Sequence, residues 1–245
     1  YEAGPSPNDW LALGYERMAD VPDTELLGPK RRLARQASLT GRIAVDPSLP
    51  DALAAFGPPA FYLDFECLVS LVPVFTGDAP GQHVPFLWSL HHVDADGRLT
   101  HWDHISAPGD DPRRAFAEGL VEAADAYFEP IVVYSDYESL RLQELAEHFP
   151  DLAPALQRIR GRLVDLLALV RGHVYDLQFQ GSYSLKAIAP VLAPGITYRG
   201  LAIKNGATAA RAYTQLVQSV PDADEVTRTL RDLRLYCARD TLALV

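Results

Sequence analysis

Apolar and polar positions alternate with two different periods along this chain. Residues 61–66, Phe-Tyr-Leu-Asp-Phe-Glu, form a short apolar run broken by two carboxylates and closed off upstream by Gly57-Pro58-Pro59. An apolar run bounded in this way predicts a buried strand. Residues 84–93, VPFLWSLHHV, predict a second strand; Asp-Ala-Asp-Gly at 94–97 carries hairpin-turn chemistry, and 98–105 is the return strand. Asp111-Pro112 opens a helix reaching about residue 128, residues 131–134 read as a short buried strand, and a helix over 137–149 is stopped by Pro150. Helices are then predicted over 151–159, 164–170, 185–192, 208–218 and from 224 to the end, with a turn at Gly181-Ser182-Tyr183 and Ser184 as a cap. Hairpin strands, helix, strand, then helices predict an α/β fold with a mixed sheet flanked by helices.

Residues 1–55 hold neither period for long. Pro, Asp and Gly are mixed with apolar pieces at Trp10-Leu11-Ala12-Leu13 and Leu26-Leu27, and 49–56 reads as one short helix with Ser48 or Asp51 near its start. The expected organisation is a helical, irregular lead-in or linker over 1–55 and a main domain over 56–245. Because the chain opens on Tyr1 and ends in helix-like residues, it reads as a piece of a longer protein.

With 245 residues, 48% hydrophobic and 22% charged, the composition is that of a globular protein. No apolar run reaches the length of a membrane span and no signal-peptide pattern opens the chain, so no membrane partner and a cytoplasmic location are expected. Cys67 and Cys237 lack the CxxC spacing of a zinc site and read as small packing residues in a reducing compartment. The net charge of −10 argues against a broad basic surface, but an acidic metal site would itself count toward that total. Lys30, Arg31, Arg32 and Arg35 form one cationic group and Arg158, Arg160, Arg162 and Arg171 another; both read as solvated helix faces.

The carboxylates carry the chemistry. Asp64 and Glu66 are two apart, so a strand points both to one face. Like charges on one face of a core strand are costly unless a cation sits between them, and hard divalent cations take carboxylate oxygens. Asp136 and Glu138 follow the strand at 131–134 and stand at a helix start, where the dipole favours acids and Asp136 can serve as the N-cap. Only one of the two is expected to reach a metal, and the pattern leaves both open. Tyr236 and Asp240 are four apart on one helical face flanked by Leu233, Cys237 and Leu244, so Asp240 needs a partner there.

The D-x-E of Asp64 and Glu66, the Tyr137-Glu138 pair and the Y-x-x-x-D of Tyr236 and Asp240 together resemble the DEDDy branch of the DnaQ-like exonucleases, with Glu138 where that family usually has Asp. The element order suits the ribonuclease H-like architecture of that superfamily, a mixed five-stranded sheet flanked by helices. Over residue 56 to the end, the chain more closely resembles a bacterial domain family often fused behind a RecB-like nuclease domain. The stretches that carry this likeness include Tyr62-Leu63-Asp64-Phe65-Glu66, Asp165-Leu166-Leu167 and Tyr236-Cys237-Ala238-Arg239-Asp240. The resemblance implies a 3′→5′ exonuclease on single-stranded DNA or RNA. It implies two Mg²⁺ or Mn²⁺ ions held by Asp64, Glu66, Glu138 and Asp240, with Tyr236 orienting the attacking water.

Weaker candidates remain. Asp165 is either a helix cap or a neighbour of the site, and Ser182, Ser184 and Lys186 are candidate phosphate contacts at a helix start. His91, His92, His101 and His104 read as core or surface histidines, and Phe86 and Trp88 as core, with base stacking as the alternative. The competing function is a nucleic-acid-binding or scaffold domain of the same fold with little or no turnover.

Overall fold

The computed structural model describes residues 6–25, 28–219 and 221–245; the apolar pair Leu26-Leu27 lies outside them. In chain order, α1 (Pro7–Ala12), α2 (Pro29–Thr40), β1 (Ala44–Val45) and α3 (Leu49–Leu53) precede three long strands, β2 (Ala60–Val69), β3 (His83–Val93) and β4 (Leu99–Ile105). Then come α4 (Arg113–Ala124), β5 (Ile131–Val133), α5 (Tyr137–His148), α6 (Ala153–Arg160) and β6 (Leu163–Asp165). The chain continues through α7 (Leu166–His173), β7 (Val174–Tyr175), α8 (Leu185–Leu192), α9 (Gly206–Gln218) and α10 (Ala223–Leu242). Among the described residues, no helix is long and apolar enough to cross a membrane.

Contacts divide the chain into two compact units: residues 1–55 with 166–194, and residues 56–165 with 195–245. The segment 166–194 thus groups with the first 55 residues, although the sequence pattern alone placed it with the main domain.

In the first unit, α1 starts with a reciprocal cap, in which Ser6 N–H donates to Asp9 Oδ2 at 2.6 Å and Asp9 N–H to Ser6 Oγ at 3.3 Å. α2 has Pro29 in its first turn, where a missing N–H costs nothing, and ends at Gly41 with φ 65°, a left-handed stop. It buries Leu33, Ala34 and Ala37 and packs on α7 and on the short antiparallel ladder that pairs Ala44 with Tyr175 and Val45 with Val174.

The second unit is built on a five-stranded mixed sheet of order β4-β3-β2-β5-β6, flanked by helices. β2, β3 and β4 pair antiparallel, whereas β2/β5 and β5/β6 pair parallel. β2 runs on to Val69, past the predicted end near Glu66. The fifth strand, β6, occupies residues that the apolar pattern assigned to a helix over 164–170; that helix begins at Leu166 instead. The run Leu163 to Val170 has no breaker, and parallel pairing of Val133 with Asp165 extracts three residues of it into the sheet.

Alternation along β2 separates two cores. Phe61, Leu63 and Phe65 pack with Phe116, Leu120, Leu142 and Leu156 from α4, α5 and α6. Burying each such side chain is worth about 1.5–3 kcal/mol. The other core joins Leu68, Phe86 and Leu87 to Tyr213 on α9 and to Leu233, Tyr236 and Cys237 on α10. Phe86 stacks on Tyr213 with ring centroids 3.8 Å apart, and Trp88 Nε1–H donates to the Phe116 carbonyl at 3.1 Å. Both rings lie inside the core, so neither offers a base-stacking surface. His92 stacks on Phe61 at 4.3 Å and His91 faces Thr241 of α10, so neighbouring histidines do point to opposite faces.

Candidate active site

Asp64 and Glu66 project from central β2 on the face covered by α9 and α10, opposite Ser89 and Leu87 of β3. Glu66 is buried and Asp64 half-buried. A central strand hydrogen-bonded to neighbours holds such side chains in one register.

α10 brings the C-terminal pair to the same place. Asp222 caps it by accepting the Glu225 N–H at 2.7 Å. Near its other end, Thr241 Oγ1 lies 2.8 Å from both Ser89 Oγ and His91 Nδ1, which pins the helix against β3. Tyr236, Cys237 and Asp240 are then all buried on the face turned to β2. Cys237 Sγ lies 3.5 Å from Asp64 Oδ2. Asp240 accepts hydrogen bonds from the hydroxyls of Tyr198, at 2.5 Å, and of Tyr236. Burial, Glu66, Asp240 and Asp64 together push the Tyr236 phenol far above its ordinary value, so it stays protonated.

Geometry separates Asp136 from Glu138. After β5 the backbone turns through Ser135, whose φ of 109° is rare for a residue with a side chain. Two hydrogen bonds hold that turn: Ser135 N–H donates to Asp165 Oδ1 at 3.0 Å, and Tyr137 N–H to Ser135 Oγ at 3.3 Å. Asp136 consequently sits exposed at the N-cap position, without a side-chain cap bond. Glu138, in the first turn of α5, is 2% exposed, and its Oε2 has no hydrogen-bond partner among the described residues. Burial and then the charges of Asp64 and Asp165 drive its carboxyl well above the usual range. Asp165 therefore both supports the turn and stands in the field of the site.

Asp64, Glu66 and Asp240 border a cleft of about 670 Å³, together with Tyr137 and Tyr236. The small-residue start of α9, Gly206, Ala207 and Ala210, also lines it, with Arg211 and Thr214 one turn on. A Cβ on Gly206 would touch Glu66 Oε2 at 3.7 Å, an ordinary contact, so the wall is open rather than strained. Tyr137 lines the cleft as well, its hydroxyl 2.8 Å from His83 Nδ1.

The donor set suits a hard cation. Asp64, Glu66 and Cys237 each present a ligand atom within 4.8 Å of the others. The Cys237 thiol is held far above its usual value, first by burial and then by the neighbouring carboxylates, so it remains protonated and ligates poorly. That leaves carboxylate oxygens, which Mg²⁺ and Mn²⁺ prefer. The orphaned Glu138 Oε2 is a buried polar atom that such a cation would satisfy.

Asp64, Glu66, Tyr236 and Asp240 thus border one cleft, and the charge of Asp64 acts on the Glu138 carboxyl. Neither Asp136 nor Glu138 is among the residues lining it; burial separates them, Asp136 being exposed and Glu138 buried. Ser182, Ser184 and Lys186 belong to the first unit. There Ser182 Oγ lies 3.3 Å from Ser184 Oγ, and Ser184 holds the N-cap position of α8 without a side-chain cap bond. Tyr198 and Arg211 carried no motif. Tyr198 lies in the irregular stretch before α9, and only its hydroxyl contact with Asp240 reveals it.

The family model described as Domain of unknown function (DUF2779) matches residues 61–184, half of the chain. That span includes Asp64, Glu66, Glu138 and Asp165 and ends before Tyr236 and Asp240. No curated protein and no solved structure matches.

Proposed function

The chain belongs to the DUF2779 family, and from that premise we propose that it is a divalent-metal-dependent 3′→5′ exonuclease of ribonuclease H-like fold, acting on single-stranded DNA or RNA. The observation that carries this reading is Glu138: a buried carboxylate with one unpartnered oxygen, facing the charge of Asp64. Without a cation such an arrangement is costly; with one it is a ligand set. The 3′→5′ polarity rests on the resemblance of the three acidic motifs.

Asp64, Glu66, Glu138 and Asp240 would hold Mg²⁺ or Mn²⁺, which when bound neutralises phosphate charge and lowers the pKa of water. Tyr198 and Tyr236 hold Asp240 by hydroxyl donation. Tyr236, kept protonated and donating to Asp240, would accept a hydrogen bond from the attacking water on its hydroxyl oxygen and so orient it rather than remove its proton. Arg211, which lines the cleft, offers a cation to the phosphate of the terminal nucleotide.

The test uses 5′-labelled single-stranded DNA and RNA oligonucleotides with Mg²⁺ or Mn²⁺, comparing wild type with Asp64→Ala and Asp240→Asn. A ladder shortening from the 3′ end and absent in both variants is expected. A folded wild type that leaves every oligonucleotide intact with either metal, yet still shifts it in a gel, would overturn catalysis in favour of a binding domain.

A further inference from the structure

A second cleft, of about 770 Å³, lies wholly within the first unit. Lys30 and Arg31 line it from the first turn of α2, Arg171 from α7, and Tyr175 and Tyr183 from the β7 strand and the turn before α8. Among the described residues no carboxylate lines it. The volume falls within the range of about 300–1,000 Å³ found for ligand-holding pockets.

Among the described residues Lys30, Arg31 and Arg171 form no ion pair, whereas neighbouring Arg35 does, with Asp23 at 2.9 Å. Arg31 lies over the Trp10 ring at 5.2 Å, and its Nη1 is buried without a hydrogen-bond partner. Lys30 Nζ stands 4.9 Å above the Tyr183 ring. The ring itself is fixed, because Tyr183 O–H donates to the Val174 carbonyl at 3.1 Å. α2 adds its own end, whose first turn carries partial positive charge. Like charges gathered on an aromatic floor with no acid between them repel one another, and an anion relieves that repulsion.

We propose that this cleft is a second nucleic-acid-binding site, which takes the phosphates of a single strand on Lys30, Arg31 and Arg171 and a base against the half-buried Tyr175. The identity of the ligand rests on the nuclease reading; the cation-lined cleft does not. Among anions that fit three cations, a single strand is favoured over a bare phosphate or polyphosphate because its bases also use the Tyr175 ring.

The test is fluorescence anisotropy of the full chain with 5′-fluorescein dT12 in EDTA, where no metal supports turnover, across a series of salt concentrations. Lys30→Ala with Arg171→Ala should weaken binding about tenfold or more. It should also lower the slope of log affinity against log salt by about 1.4, at roughly 0.7 per phosphate contact on single strands. Arg98→Ala with Arg228→Ala removes the same charge elsewhere and should leave both quantities unchanged. Equal losses in the two double variants, no loss in the first, or undiminished binding competition by inorganic polyphosphate at matched charge would each overturn the proposal. Hydrolysis with Mn²⁺ is scored separately. Variants that lose binding in a protein that never hydrolyses would keep this site and sink the nuclease. Variants that bind normally in a protein that does hydrolyse would do the reverse.

Discussion

The two units divide the charge of the chain unequally. The unit formed by residues 56–165 and 195–245 holds 23 acids against 14 Lys and Arg, and so carries −9 of the net −10. The unit formed by 1–55 and 166–194 holds nine acids against eight cations. The use of cations differs more than their number. In the acidic unit many arginines are committed to carboxylates: Arg114 to Asp151 at 2.7 Å, Arg158 to Asp125 at 2.6 Å, Arg234 to Asp103 at 2.7 Å, and buried Arg113 to Asp78 at 2.8 Å. In the near-neutral unit the three cations of the cleft are uncommitted among the described residues. Net charge alone therefore says little about nucleic-acid binding here. Carboxylates concentrated where a metal is needed set the total, while a small local excess of cations can still meet a strand.

The sharpest break of this comparison is on the acidic side. Asp64→Ala should lower hydrolysis at least a thousandfold while leaving strand affinity in EDTA within a factor of about two. If it abolished EDTA-phase binding instead, strand capture would belong to the acidic unit and the division of labour would fail. Lys30→Ala with Arg171→Ala should show the opposite pattern, a loss of affinity that saturating oligonucleotide restores.

Acidification tests the support of α10. Burial, and then the charge of His101, holds the His91 imidazole down to about 4 against an ordinary 6.5. Its Nδ1 meets Thr241, one residue from Asp240, and its ring lies 4.3 Å from His101, which is also held below its usual value by burial while Asp103 pulls the other way. Because the folded value is depressed, the unfolded chain binds the proton more readily. Stability is complete above about 6.5 and is lost as pH falls toward 4, by up to about 3 kcal/mol at 1.4 kcal/mol per unit. Urea unfolding between pH 7.5 and 4.5 should fall more steeply for wild type than for His91→Gln. Parallel profiles would show that His91 is not the group that titrates.

Divalent ions should act in the other direction and only on the acidic unit. At a hundred times its dissociation constant, Mn²⁺ should stabilise the folded protein by about 2.7 kcal/mol. Glu138→Gln should largely remove that gain, and Asp136→Asn should not. An Asp136→Asn variant that lost the gain would return the second-motif role to the exposed residue.

The acidic site was readable in the sequence where its chemistry is local. Alternation put Asp64 and Glu66 on one face of β2, and the four-residue spacing put Tyr236 and Asp240 on one face of α10. What escaped is set by contacts between distant residues. Glu138 differs from Asp136 only because Ser135 turns through a positive φ, supported by Asp165 from thirty residues on. β6 hides in an apolar run without a breaker, and the two-residue ladder of β1 with β7, which ties 166–194 to the start of the chain, has no periodicity to read. The cation group at 30–35 read as a solvated helix face because nothing local tells that Arg171, Tyr175 and Tyr183 line the same cleft.

Tyr198 gives the finest test of how the acids are held. Its hydroxyl donates to Asp240 Oδ1 at 2.5 Å, and its ring packs among the residues around Tyr236. Phe at this position keeps the ring and loses the donor, so the fold should stand while Asp240 loses one of its two phenolic partners. Removing such an outer partner of a metal-holding carboxylate costs about tenfold in affinity for the ion. Tyr198→Phe should therefore shift the Mn²⁺ concentration that half-saturates the thermal stabilisation upward about tenfold, with the metal-free melting temperature nearly unchanged. A purely structural tyrosine would give the converse, a lower metal-free melting temperature and an unmoved Mn²⁺ midpoint. That outcome would remove Tyr198 from the site while leaving the four acids in place.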